Sequence, residues 1–424
     1  MGSVELHGRR YRLPNKPVVV ICIDGCDPEY IQNAVSRNLC PNLSMMMESG
    51  FASIADCVMP SFTNPNNASI VTGVPPAVHG IAGNYYLDRL TGERVMVNDA
   101  RMLRGTTLLA MLSQAGIRTA AITAKDKLTK IIGHGLAGPC FSSEKAGQTS
   151  MLEYGFETAK DLVGRPQPDM YSPDLSLYVL DAGIELLRRD ISQVIYLSLS
   201  DFVQHKHAPG EPESDAFLLA IDQRIGKLTA LGAIVGCVAD HGMSHKTDFL
   251  GRAQILFVQD HLTQAFGPGS AQVICPITDP FVRHHGALGS FVRVYLRNLD
   301  QQDAATSLLR EAPGVHEVLS RQEASSRLDL PHDLEADLVV ISKEDWVLGS
   351  AREDHELTAV QDRPLRSHGG YSEQRVPFLI SHPLDAEGLA WSRSTRLHNY
   401  DIFYAILNHT DAVVRDGKTV TFQD

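Results

Sequence analysis

A chain of 424 residues with 43% hydrophobic content can bury a sizeable core, which points to a globular protein and away from disordered or fibrous classes. A formal net charge of −12 argues against a broad basic face for nucleic acid, and with no apolar run of about 18 residues a membrane span is not expected. The seven cysteines are an odd, scattered set, several inside apolar runs, which predicts buried thiols rather than a disulfide framework.

The opening MGSVELHGRRYRLPNKP lacks the apolar centre of an export signal, so a soluble cytoplasmic protein is expected. VVVICIDG then reads as a strand closing on Asp24, followed by a helix around Glu29 to Ser36 and a strand near Ala52 to Val58. In MPSFTNPNNASIVTG, Thr63 stands in a loop that runs into a helix beginning near Asn66 and ending at Thr72-Gly73. Asn84 follows in HGIAGNYYLD, then the helix LLAMLSQAG, closed by Gly116, and the strand IRTAAIT. Directly after that strand, AITAKDKLTK places Lys125 and Lys127 one residue apart, so an extended backbone would present both ammonium groups on one face.

SPDLSLYVLDAGIELLRR predicts a serine-capped helix, and VIYLSLSDFVQH a strand that ends at Asp201 with His205 one helical turn on. A helix from about Ser214 to Leu231 leads to AIVGCVADHG, a strand ending on Asp240 and His241. Such alternation predicts a doubly wound, mainly parallel sheet. From 251 to 362 the order changes to a strand, helix and strand-like α+β segment, read as an inserted cap domain. The core is then 1–250 and 363–424, with a contribution to the cap from about 129–175 left open. VRHHG, at 282–286, reads as an exposed basic loop, with substrate contact the alternative. His368 lies beyond the cap, in RSHGG.

Three carboxylates gathered at one sheet edge repel unless cations lie between them, and the crevice at the carboxyl ends of parallel strands is where Asp24, Asp201 and Asp240 would meet. With His205, His241 and His368 they form a mixed oxygen and nitrogen set that favours zinc, with manganese or iron ranking behind. Taken alone, Thr63 reads as a helix N-cap; beside two divalent cations it reads as a nucleophile with a lowered hydroxyl pKa. Within GNYYLD, Asn84 reads locally as a turn residue. The lysines are either a solvated pair or a cradle for a second anionic group, since two divalent ions against three aspartates leave only a small excess positive charge.

Asp24, Thr63 in FTNPNNASIVTG, Asn84, Asp201-x3-His205, Asp240-His241 and His368 together resemble the alkaline phosphatase superfamily, in its nucleotide pyrophosphatase/phosphodiesterase branch, over roughly 17–128, 190–245 and 362–410. The resemblance implies an alkaline-phosphatase-like α/β core and two Zn2+, one held by Asp201, His205 and His368 and the other by Asp24, Asp240 and His241. It also implies that the Thr63 oxygen faces the metals and that Asn84 donates to a phosphoryl oxygen. Within the branch the likeness is greatest to members that hydrolyse phosphonoacetate. A small-molecule phosphonate substrate is therefore expected, its carbon–phosphorus bond cleaved to acetate and phosphate through a phosphothreonine, with Lys125 and Lys127 holding the carboxylate. A nucleotide pyrophosphatase or phosphodiesterase, a cofactor-independent phosphomutase and a metal-stabilised binding protein are the rival readings. Neither a nucleic-acid nor a membrane partner is expected, and a homodimer is left open.

Overall fold

The computed structural model describes residues 2–89, 91–279, 285–360 and 363–412. In chain order, the strands of its two larger sheets are β1 (Val18–Cys22), β2 (Phe51–Asp56), β3 (Thr119–Thr123), β4 (Cys140–Ser142), β5 (Val194–Ser198) and β6 (Ile234–Val238), then β7 (Ala271–Ile274), β8 (Phe291–Leu296), β9 (Val315–Ser320), β10 (Leu338–Ser342) and β11 (Arg375–Ile380). The central sheet runs β2-β11-β6-β1-β5-β3-β4. Its pairs from β6 to β4 are parallel, while β11 lies antiparallel between β6 and β2. Every residue of β1, β3, β5 and β6 is buried, as expected for strands covered by helices on both faces. The expected mainly parallel α/β core is present, and β4, from within 129–175, is one of its two edge strands.

Helices α1 (Pro28–Ser36), α2 (Pro41–Ser49), α3 (Thr63–Thr72), α4 (Leu108–Gln114), α5 (Asp126–Ile132), α6 (Asp174–Arg188), α7 (Pro212–Ala230) and α8 (Ile402–His409) accompany this sheet. Two local expectations change. Helix α3 starts at Thr63 rather than near Asn66, with extended Phe62 as its N-cap, so Thr63 occupies the first helical position instead of a preceding loop. Helix α6 has Pro173 at its N-cap and no side-chain cap, while the Ser172 hydroxyl donates to the Asp169 carbonyl at 2.8 Å. No disulfide joins the seven cysteines, and only Cys140 is not fully buried.

Strands β7-β8-β10-β9 form an antiparallel sheet with its own hydrophobic core, and Met59 and Phe62 from the segment leading to Thr63 enter that core. Phe62 meets Phe291 edge-on at 6.4 Å and His368 at 5.5 Å, so the smaller sheet supports the N-terminus of α3. A buried ion pair, Arg293 Nε to Glu335 Oε1 at 2.6 Å, adds a hydrogen bond from Arg293 to the Ala82 carbonyl at 3.1 Å, two residues before Asn84. Residues 282–284 of the predicted basic loop and 413–424 of the predicted core lie outside the described residues.

Candidate active site

Strands β6, β1 and β5 are adjacent and parallel, with Val238, Cys22 and Ser198 in register, so Asp240, Asp24 and Asp201 all emerge at one sheet edge. Gly25 has φ +68°, and a Cβ there would come within 3.1 Å of Asp201 Cβ. Only glycine allows the two chain segments to approach this closely. Asp240 is tied down on both oxygens: Oδ1 accepts from the Gly25 and His241 backbone N–H groups at 3.2 and 3.1 Å, and Oδ2 from Asn67 Nδ2 at 3.3 Å. Asp24 Oδ1 is buried with no hydrogen-bond partner. Burial, followed by the nearby charges of Asp201 and Asp240, holds the Asp24 carboxyl well above the usual carboxylate range.

The imidazoles are prepared for the same centre. Nδ1 of His205 lies 3.0 Å from the Arg366 carbonyl, Nδ1 of His241 2.8 Å from the Gly242 carbonyl, and Nδ1 of His368 2.8 Å from the Ser61 carbonyl. A carbonyl can only accept, so each Nδ1 carries the hydrogen and, in the neutral ring, each Nε2 presents a lone pair. Those lone pairs face carboxylates: His205 Nε2 is 2.8 Å and His368 Nε2 3.9 Å from Asp201 Oδ2, and His241 Nε2 is 3.3 Å from Asp24 Oδ1. Burial, then the neighbouring His241 and His205, pushes His368 well below the ordinary imidazole range, which keeps it neutral. Lone pairs directed at carboxylates repel unless a cation lies between them, and a ligand histidine donating its other nitrogen to a carbonyl is a common arrangement at metal sites. The donor atoms fall into two overlapping groups, Asp201, His241 and His368, and Asp24, Asp240 and His241, each within 4.8 Å. His205 joins the first through its contact with Asp201. Oxygen and imidazole donors in these numbers fit divalent metal.

Thr63 Oγ1 lies 3.4 Å from His241 Nε2. The turn that presents it is held by Asn66, which bonds Val58 and Phe62, while Asn67 donates to the Thr63 carbonyl at 3.0 Å. Asn84 lines the same cavity as Asp24 and Thr63; its Oδ1 accepts from the Asn64 backbone N–H and its Nδ2 donates to the Ile277 carbonyl, both at 3.4 Å. Lys125 and Lys127 also line it, though not for the reason expected from an extended backbone. Lys125 is the N-cap of α5 and Lys127 its second residue. Lys125 Nζ is 3.9 Å from Asp201 Oδ1, and Lys127 forms an ion pair with Asp279.

Asp279 and His285 join the cavity without having been assigned to it from sequence. His285 is buried rather than exposed, its ring 5.3 Å from that of His205. Burial and the adjacent His205 push it down to about 3. The doubled histidine of VRHHG was the available signal, but its local sequence does not encode the fold that turns one ring inward. A cavity of about 330 Å3 adjoins this one through Lys125, Lys127 and Asp279 and is walled by Met170, Tyr171 and Phe202.

The family model for type I phosphodiesterase / nucleotide pyrophosphatase matches residues 18–371. Phosphonoacetate hydrolase from Sinorhizobium meliloti 1021, solved with phosphonoacetate and with phosphonoformate, is 44% identical, with a TM-score of 0.90 covering 95% of this chain and 98% of that one. Murine ectonucleotide pyrophosphatase / phosphodiesterase 5 shares the fold at 16% identity, with a TM-score of 0.62 over 95% of this chain and 98% of that one. An ectonucleotide pyrophosphatase/phosphodiesterase of Caenorhabditis elegans is 39% identical over 91 residues, 21% of this chain and 11% of that protein, so the matched stretch spans about a tenth of this curated relative. Among the described residues no helix is long and apolar enough to cross a membrane.

Proposed function

Because the chain belongs to the type I phosphodiesterase / nucleotide pyrophosphatase family of the alkaline phosphatase superfamily, we propose that it hydrolyses the carbon–phosphorus bond of phosphonoacetate, releasing acetate and phosphate. The observation that carries this reading is the meeting, in one cavity, of Thr63 and the carboxylate–imidazole cluster with two lysines. Asp201, His205 and His368 would hold one Zn2+, and Asp24, Asp240 and His241 the second. When bound, the two cations would neutralise the carboxylates, orient the phosphonate and lower the pKa of the Thr63 hydroxyl.

The remaining chemistry belongs to the chain. Thr63 Oγ1 attacks phosphorus in line, so that an O–P bond forms as the P–C bond breaks. The electron pair passes to the leaving carbon and is delocalised onto the carboxylate as an enediolate. Ammonium groups fixed beside that carboxylate, on Lys125 and Lys127, gain interaction as the charge develops and so favour the transition state over the bound substrate. Water protonates the carbon to give acetate, and the proton lost from the Thr63 hydroxyl passes to the hydroxide so formed. Water then hydrolyses the phosphothreonine, and Asn84 donates to a phosphoryl oxygen in both steps.

A phosphodiesterase reading is favoured by the family model and by the aromatic wall of the adjoining cavity, where Tyr171 and Phe202 stand 6.5 Å apart. The test supplies zinc-loaded protein with phosphonoacetate, methylphosphonate and an aryl phosphodiester and measures acetate, phosphate and phenol. Equimolar acetate and phosphate from the first, and slow turnover of the other two, is the expected result. Phenol release with no acetate would overturn the assignment in favour of the phosphodiesterase.

A further inference from the structure

The three metal-ligand loops are joined to one another by two buried charged residues that need not touch a metal or substrate to matter. Arg366, 3% exposed, donates from Nε to the Gln204 carbonyl at 2.8 Å and from Nη2 to the Met243 carbonyl at 3.2 Å. These carbonyls belong to the residue before His205 and to the second residue after His241. Arg366's own carbonyl faces His205 Nδ1, and the residue lies two positions before His368. Its remaining bond, Nη2 to Tyr30 Oη at 3.1 Å, continues to the His207 carbonyl at 2.6 Å, so the fork is braced at its outer end.

Glu373, fully buried, makes a second link. Its backbone carbonyl accepts from the Gly242 N–H at 2.7 Å, and its Oε2 from the Gly370 N–H at 3.0 Å. Its Oε1 accepts from Lys246 Nζ at 2.8 Å, from Ser372 Oγ at 2.6 Å and from Ser244 Oγ. Lys246 is itself fully buried and also donates to the Glu344 carbonyl at 2.6 Å. The loop after His241 and the loop after His368 are thus stitched together on both sides of the short ladder in which Ser244 pairs with Ser367 and His245 with Arg366. At Gly369, φ +123°, a Cβ would fall 2.5 Å from Phe62, which fixes the same loop against the N-cap of the Thr63 helix.

We propose that Arg366 and Glu373 are positioning residues, which hold the loops of His205, His241 and His368 in metal-binding geometry before any ion arrives. The proposal rests on the two-metal reading of the site. Without the clamp, three mutually repelling carboxylates and three lone pairs would relax outward, and metal binding would first have to reverse that movement. Arg366→Lys keeps the charge but cannot span both carbonyls with one planar fork. Glu373→Gln keeps the shape but replaces a charged acceptor facing Lys246 and Gly370. Ser244→Ala removes a single hydroxyl from the clamp and is the mildest change.

The test measures zinc affinity by competition with a chromophoric chelator, together with the melting temperature of metal-free and zinc-loaded protein. A loss of zinc affinity of about tenfold or more is expected for Arg366→Lys and Glu373→Gln, and a smaller loss for Ser244→Ala. The gap between loaded and metal-free melting temperatures should narrow in the same order. Should the charged variants fail to fold, Ser244→Ala carries the test alone. A purely structural role would lower both melting temperatures equally and leave zinc affinity at the parent value; that result overturns the clamp. A parent protein that takes up no divalent ion overturns the two-metal reading and the clamp together.

Discussion

Replacing Asn66 tests whether Thr63 is placed by the fold or by its own local sequence. The Asn66 side chain is fully buried. Its Oδ1 accepts from the Val58 N–H at 2.7 Å and from Asn399 Nδ2 at 3.0 Å. Its Nδ2 donates to the Val58 and Phe62 carbonyls, each at 3.1 Å, and at 3.4 Å to that of Pro60. Asn66→Ala strands several of these groups away from water, at about 1–3 kcal/mol for each group left unsatisfied. Neighbouring losses do not add, so a total of roughly 3–5 kcal/mol is expected, out of the 5–15 kcal/mol typical of a domain. Asn66→Asp should be worse, because it turns a donor facing three carbonyls into an acceptor. Urea unfolding followed by circular dichroism reads the stability. Turnover of phosphonoacetate under folded conditions reads the displacement of Thr63, with a loss of about a hundredfold for a shift near 1 Å. An Asn66→Ala protein with an unchanged urea midpoint and turnover within twofold of the parent would refute the reasoning.

Thr63→Ala should fold normally and lose about two to four decades of turnover, roughly 3–6 kcal/mol of barrier, while Thr63→Ser keeps part of it; an alanine variant near the parent rate would point to direct attack by water. Alanine at Lys125 or Lys127 should lower kcat and raise KM for phosphonoacetate while affecting an aryl phosphodiester much less, and equal losses on both substrates would mean that the lysines serve the fold instead. His79 is buried, with Nδ1 accepting the Ile81 N–H at 3.1 Å and Nε2 2.8 Å from Ser69 Oγ. Burial, with His7 nearby, pushes it down to about 3 from an ordinary 6.5. Below pH 6.5 the unfolded chain therefore takes up a proton that the folded one refuses, and its contribution to stability, complete above 6.5, falls by about 1.4 kcal/mol per pH unit down to about 3. Urea midpoints of parent and His79→Asn between pH 7 and 4 should show a shallower decline in the variant; parallel curves would count against the assignment.

The strand-end aspartates were legible because a parallel strand buried on both faces is written as an unbroken apolar run, and its end is marked by the first charged residue. Their adjacency was not local information: it depends on β1 lying between β5 and β6, which periodicity cannot specify. The histidines could be read as donors, but the tautomers of His205 and His368 could not, since their fixing carbonyls, on Arg366 and Ser61, are remote in sequence. Two errors have a common cause. The start of α3 and the inward turn of His285 both depend on contacts remote from the local pattern, Phe62 packing into the core of the smaller sheet in the first case and His285 buried against His205 in the second. Both lysines line the cavity, but from a local geometry other than the extended one expected, because α5 begins at Asp126, between them.

The antiparallel strand β11 sets an order on how the molecule is made. It fills the gap between β2 and β6, so the central sheet is in two pieces until residues 375–380 have left the ribosome. The contacts that fix His368 and the turn presenting Thr63 are as late: Ser61 and His368 are 307 residues apart, Asn66 and Asn399 333. Such non-local closure is slow compared with local helix formation. Between the making of β6 and of β11 an emerging chain therefore exposes unpaired strand edges on β2 and β6, and the complete set of candidate metal donors can assemble only after His368 has been added. On the two-metal reading, ions would be bound only after His368 has been made, and a chain truncated before β11 would present aggregation-prone strand edges.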